Sequence, residues 1–229
     1  MPASRTLVPP PAPLLADAPP LGAWARAWAR PDFRAWALAL VLGFALVVGL
    51  VLPPFFAWSQ LRGGAIPSDP LLALLPRHDV ALAVFVLMYG AVGLSVGWQT
   101  RHPWLLLRGL WAYLLLLLLR IVAIWLVPLL PPADLLPMPD PFTALFMHEA
   151  PGGAVTHDLF FSGHTATVVL LALAVRGRWW RLGVGLLAAA VGLLVLVQRV
   201  HYSYDVLAAP LFAWLAYWLM GQLVPKELA

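Results

Sequence analysis

Apolar residues run along this chain in long unbroken blocks separated by short polar or proline-rich stretches, and Ala35–Leu52 and Trp111–Leu119 contain no charged residue. A run of about 20 apolar residues crosses a hydrocarbon core of about 30 Å as a helix. Hydropathy predicts six such spans, at about 35–52, 80–98, 104–127, 159–175, 182–198 and 206–224. The expected fold class is all-α: a polytopic membrane protein with six transmembrane helices in residues 35–224. Residues 1–34 precede them, with seven prolines among the first 20 positions and no apolar period. That segment is expected to be a disordered tail. The first apolar run ends at Pro53–Pro54 rather than at a small-residue cleavage site, so it reads as a retained span and not a secretory signal. A short C-terminus, 225–229, follows the last span.

Composition sharpens this reading. The 229 residues are 62% hydrophobic and 10% charged, whereas soluble domains are roughly 45–50% apolar and about 25% charged. A soluble globular protein is excluded. Without a single cysteine, disulfides, thiolate metal sites, iron–sulfur clusters and cysteine nucleophiles are excluded too. The net charge of +4 comes from cations spread over short loops, with no basic patch or arm to suggest nucleic acid.

The charges report topology instead. Ten of the fourteen cations (Arg5, Arg26, Arg30, Arg34, Arg101, Arg108, Arg176, Arg178, Arg181 and Lys226) fall on one side of the six-span layout. That side is expected to be cytoplasmic and to hold both termini. Seven of the ten acids (Asp69, Asp79, Asp134, Asp140, Glu149, Asp158 and Asp205) fall on the other. Trp24, Trp98, Trp104, Trp179 and Trp180 lie near span ends, as an interfacial belt requires. Gly90, Gly93 and Gly97 suggest tight helix packing in the second span. The Ala-, Leu- and Pro-rich composition with a single lysine points to a GC-rich bacterial source and an inner (plasma) membrane.

Two polar clusters interrupt the apolar pattern. His157–Thr165 opens the fourth predicted span and His201–Asp205 opens the sixth, both on the predicted outer face. Ser162-Gly163 at a helix start offers free N–H groups and the positive end of the helix dipole, where a phosphate binds well. His164 could protonate a leaving oxygen. His201 and Asp205 are four apart, so the carboxylate can hold one ring nitrogen and leave the other as nucleophile or base. That set suits phosphoryl transfer through a phosphohistidine. A metal site from His157, Asp158, His164 and His201 is possible in ligand type, but no i, i+4 histidine pair or carboxylate-rich helix supports it. His78, His102 and His148 read as polar interfacial residues. Arg120, in an otherwise apolar span, reads either as a clamp for a lipid phosphate or as a packing salt bridge with Asp158 or Asp205. Arg199 reads equally as a second clamp or as an interfacial anchor.

From about Arg120 to the last span the sequence resembles the sphingomyelin synthase-related branch of the type 2 phosphatidic acid phosphatase superfamily. Asp158-x-x-Phe161-Ser162-Gly163-His164-Thr165 is similar to that branch's third motif, and His201-Tyr202-Ser203-x-Asp205-Val206 to its fourth. Arg120 followed by Leu130-Pro131 resembles the second. The resemblance implies a six-helix bundle with its site at the outer leaflet or lumenal face. It implies catalysis by His201 as attacking nucleophile, Asp205 as its orienter and His164 as acid, with Arg120, Asp158, Ser162, Gly163, Thr165 and Tyr202 binding substrate. The arginine that the wider superfamily places six residues before its second histidine is replaced by Val195, which favours the synthase branch. Val200 and Ala123 depart from that branch, where an acidic residue and a threonine stand.

The expected function is transfer of a phospho-head group from a phospholipid to a lipid alcohol such as ceramide or diacylglycerol, within a bilayer. Hydrolysis, as a lipid phosphatase or phospholipase C-type enzyme, is the alternative, and non-enzymatic lipid binding or transport a third. No metal or cofactor is expected, since Arg120, the Ser162–Thr165 amides and His164 can together neutralise a phosphate.

Overall fold

The computed structural model describes residues 22–140 and 156–225. Over these residues the secondary structure is helical, apart from an isolated bridge between Ala65 and Leu129. The helices are α1 (Ala23–Ala29), α2 (Pro31–Leu46), a π-turn (Val47–Val51), α3 (Leu52–Leu61), α4 (Pro70–Leu74), α5 (Ala81–Gln99), α6 (Pro103–Leu126), α7 (Gly163–Ala174), α8 (Arg178–Val197) and α9 (Ser203–Leu223). The chain is an integral membrane protein: among the described residues five helical segments are long and apolar enough to cross a bilayer, Pro31–Leu61, α5, α6, α8 and α9.

The fourth expected span is not confirmed at its full length. In place of a helix over 159–175, α7 has 12 residues, about 18 Å at 1.5 Å per residue, well short of a hydrocarbon core of about 30 Å. Residues 159–162 are apolar enough to count towards a span, but Phe160 and Phe161 are left-handed, with φ of 73° and 51°. Hydropathy sums composition and is blind to that turn.

The first span is longer than expected. Pro53 and Pro54 lack the N–H that an α-helix needs and crowd the preceding turn, yet the helix continues to Leu61. The π-turn at Val47–Val51 lies immediately before them. A widened turn is a recognised way of passing such an irregularity through a helix, and the prolines do not end it. Within the segment expected as a tail, α1 begins at Ala23 and α2 at Pro31. Residues 1–21 and 226–229, and with them Arg5 and Lys226, lie outside the described residues, as do His148 and Glu149.

α6 packs along α9. Its Leu107, Ala112, Leu116 and Ala123 share a buried cluster with Ala209, Ala213, Ala216 and Met220 of α9. Alanines on α9 let the two backbones approach closely where lipid offers no hydrophobic drive. A second cluster joins Val84, Met88 and Ala91 of α5 to Val184, Ala188, Val191 and Val195 of α8. Close approach falls at Gly192, where a Cβ would lie 2.8 Å from Val206. Gly90, Gly93 and Gly97 are exposed and have nothing within 4 Å of a Cβ, so the expectation of tight packing there fails. Trp24, Trp179 and Trp180 are exposed, as anchors should be, whereas Trp104 is buried against Phe33 with ring centroids 4.9 Å apart.

Candidate active site

α7 and α9 start side by side. The Ser162 N–H donates to the Asp205 carbonyl at 2.9 Å, tying the residue before α7 to the first turn of α9. Two helix N-termini, each carrying the positive end of its dipole, therefore converge on one place. His164 and His201 stand there with ring centroids 6.5 Å apart.

His201 is 2% exposed and Asp205 0%. The carboxylate lies 3.2 Å from His201 Nδ1 and accepts the Tyr202 N–H at 3.1 Å. With Nδ1 engaged, Nε2 is the nitrogen left for chemistry. Asp69 braces this turn from α4's N-terminus, accepting from Ser203 N–H at 2.6 Å and Ser203 Oγ at 2.8 Å while also capping Leu72 N–H at 2.9 Å. Burial alone would raise the Asp69 carboxyl, but these donors hold it below the usual carboxylate range.

At α7 the sequence Asp158–Gly163 folds round the Arg120 guanidinium. Nη1 donates to the Phe161 carbonyl at 2.6 Å, and Nη2 to the Asp158 carbonyl at 2.7 Å and its Oδ2 at 2.6 Å. The consecutive left-handed Phe160 and Phe161 shape this loop, a conformation that costs roughly 1–2 kcal/mol per non-glycine residue. Stacking of Phe161 on Phe212, with centroids 4.2 Å apart, opposes that strain. Gly163 is required by space: a Cβ there would lie 2.7 Å from Arg120 Nη1. Burial pushes the Asp158 carboxyl up, but the Arg120 charge and hydrogen bond outweigh it and leave it below its ordinary value. Of Arg120's five N–H donors, these contacts use three.

Ser162 caps α7, its Oγ accepting from Thr165 N–H at 3.3 Å and Thr165 Oγ1 at 3.1 Å. The Gly163 and His164 N–H groups have no intrahelical carbonyl to reach, as at any helix start. His164 Nε2 is 3.6 Å from Asp140 Oδ2, and Asp140 Oδ1 accepts from the Tyr89 hydroxyl at 2.7 Å. A cavity of about 410 Å³ opens here, with Arg120, Asp140, Asp158, Gly163 and His164 at its polar end.

The structure thus brings together Arg120, Asp158, Gly163, His164, His201 and Asp205. Ser162 and Thr165 serve the cap beneath them and, like the buried His201 and Asp205, do not line the cavity. Tyr202 does not line the cavity: it is buried, its hydroxyl donates to the Leu130 carbonyl at 3.1 Å, and it packs in an apolar cluster with residues of α4 and α8. Arg120 both lines the cavity and makes the Asp158 ion pair weighed as its alternative. Arg199 does not line the cavity: it donates to the Leu72 and Leu75 carbonyls at 2.6 and 2.7 Å, pairs with Asp134 at 3.4 Å and so pins α4. His157 contacts Gln60 Oε1 at 3.1 Å, and among the described residues no group of three or more His, Asp and Glu is placed to hold a metal ion.

Sequence reasoning missed Asp69, Asp140 and Gln198. Gln198 is fully buried, accepts the Val80 N–H at 2.5 Å and donates to Asp79 at 3.2 Å, so the α8–α9 turn gathers the neighbouring loops. A lone amide ending an apolar span was the available signal.

Residues 157–222 match the sequence profile of the family described as PAP2 superfamily C-terminal. The match takes in α7, α8 and nearly all of α9, with both histidines. That superfamily consists generally of phosphatase-type enzymes. No curated protein and no solved structure matches the chain.

Proposed function

We propose that the protein is a lipid phosphotransferase of sphingomyelin synthase-like type, moving a phospho-head group from a phospholipid to ceramide or diacylglycerol. The observation that carries this reading is the pair of histidines at two converging helix N-termini, 6.5 Å apart between ring centroids, one backed by a buried carboxylate and the other opening on a cavity. In the first step His201 Nε2 attacks phosphorus, an N–P bond forms, and the P–O bond to diacylglycerol breaks. His164 gives its proton to the departing alkoxide. In the second step the acceptor hydroxyl loses its proton to His164 and attacks phosphorus, and the N–P bond breaks. Arg120 and the first-turn amides of α7 stabilise the phosphate's growing charge.

Hydrolysis is the second reading, favoured by the superfamily match, and needs only water in place of the alcohol. The distribution of arginines and acids supports placing this site at the extracytoplasmic face of a bacterial inner membrane, with cytoplasmic termini. The deciding experiment is a mass-spectrometric assay of the purified protein in mixed phospholipid vesicles, with and without ceramide or diacylglycerol, beside His201→Ala. A new head-group-bearing lipid that needs both acceptor and His201 supports the transferase. Diacylglycerol with a soluble phospho-alcohol, or inorganic phosphate from phosphatidic acid, makes it a hydrolase. Products that survive in His201→Ala overturn the phosphohistidine.

A further inference from the structure

Below His164 and Arg120 the cavity changes character. Its walls become Phe44, Val48, Met88, Val92, Tyr113 and Leu117, from the first span, α5 and α6. It continues down to Gln99, Gly109 and Ala174. From Arg120 to Gly109 along α6 is eleven positions, and from Gly163 to Ala174 along α7 is again eleven. Each is about 16 Å at 1.5 Å per residue. A hydrocarbon core of about 30 Å is two tails deep, about 15 Å each. The slot is thus one membrane-lipid tail long, apolar along its length, and continuous with the groups that would hold a phosphate.

We propose that this slot receives a single hydrocarbon tail of the lipid substrate, and that its floor at Gln99, Gly109 and Ala174 sets the tail length accepted. The proposal rests on the lipid-phosphate reading of the site above it. The three floor residues meet: a Cβ on Gly109 would lie 2.9 Å from Gln99 Oε1 and 3.9 Å from Ala174 Cβ. Two of the three are the smallest side chains available, while Phe44, Met88, Tyr113, Leu116 and Leu117 stand among the walls above them, so depth at this point depends on side chains that are missing. The neighbour that a Gly109 substituent meets first is the end of a flexible amide, which can swing aside, so added bulk shortens the slot rather than breaking the bundle.

The test uses the full chain in vesicles and donor phospholipids that share a head group but carry octanoyl, lauroyl, palmitoyl or oleoyl tails. Gly109→Leu is expected to raise the lauroyl-to-palmitoyl ratio of kcat/KM by roughly tenfold, the scale on which a fixed apolar pocket discriminates small changes in length. Ala174→Leu, from the facing helix, should move the ratio the same way and covers the case in which Gly109→Leu does not fold. Leu186→Ala on the lipid-exposed face of α8 should leave it unaltered. An unchanged ratio in both floor variants, with turnover intact, overturns the proposal. Native mass spectrometry after incubation with equal amounts of lauroyl and palmitoyl phosphatidic acid reads the same preference without turnover. Length-selective retention that shifts with Gly109→Leu, without any His201-dependent product, would sink the catalytic reading and keep the slot. Equal retention of both lengths by wild type and variant would sink the slot alone.

Discussion

Two histidine–carboxylate pairs face each other in this bundle, and they are built differently. His201 and Asp205 sit one helical turn apart on α9, 3.2 Å from nitrogen to oxygen, with side chains 3% and 0% exposed. His164 and Asp140 come from different parts of the chain, are 3.6 Å apart and are 16% and 20% exposed, on the cavity wall. A pair locked by its own helix turn and a backbone N–H holds a nitrogen lone pair on a fixed line, as bond formation to phosphorus demands. A looser pair open to the cavity suits a group that must hand a proton to one alcohol and take it from the next. Under the proposed mechanism this contrast in rigidity suits His201 as nucleophile and His164 as acid.

The largest expected effect breaks the rigid pair: His201→Ala should lower turnover by on the order of 10⁴-fold, because no covalent intermediate can form. Asp205→Asn keeps the shape but loses the charge and tautomer control, and should lower kcat by on the order of 10³-fold with little change in KM. Gly163→Ala drives a methyl into Arg120 and should cost about 1–3 kcal/mol of stability and on the order of 10²-fold in product formation. Asp140→Asn should cost only about tenfold, since at 3.6 Å there is no hydrogen bond to lose. An Asp140→Asn effect as large as that of Asp205→Asn would erase the distinction between the pairs.

The smallest effect separates the supports beneath each pair. Asp158 braces the His164 side and Asp69 the His201 side, and both are held below the usual carboxylate range. A depressed folded value gives stability that is present above the unfolded value of about 4 and is lost as pH falls through the folded one. Melting temperature should stay level from neutrality to about pH 4 and fall below it. Asp158→Asn and Asp69→Asn should each flatten that acid fall, measured by thermal melts in detergent.

His164, His201 and Asp205 were legible because ionisable groups stand out against an apolar background and the i, i+4 spacing is a local rule. The apolar walls of α5, α6, α8 and α9 were legible for the same reason. Asp69 was not, since its partner Ser203 is 134 positions away and Asp69-Pro70 alone announces only a helix start. Asp140 depends equally on where Tyr89 and His164 meet. The shortness of α7 lay beyond reach as well: Phe160 and Phe161 are ordinary span residues by composition, and only the demand of the Arg120 donors explains their backbone.

That demand bears on how the chain is made. α6 reaches the membrane before residues 158–161 have emerged from the ribosome, so during membrane insertion Arg120 has none of the acceptors that later surround it. An arginine at the middle of a span opposes insertion by about 2.5–3.5 kcal/mol, an upper limit for Arg120 six residues from the end of α6, while each leucine favours it by about 0.3–0.6. The six leucines Leu114–Leu119 that lead into Arg120 therefore contribute about 2–4 kcal/mol together, close to the size of the opposing term. These six leucines give the nascent segment membrane affinity to wait, cation and all, for its carbonyls to emerge.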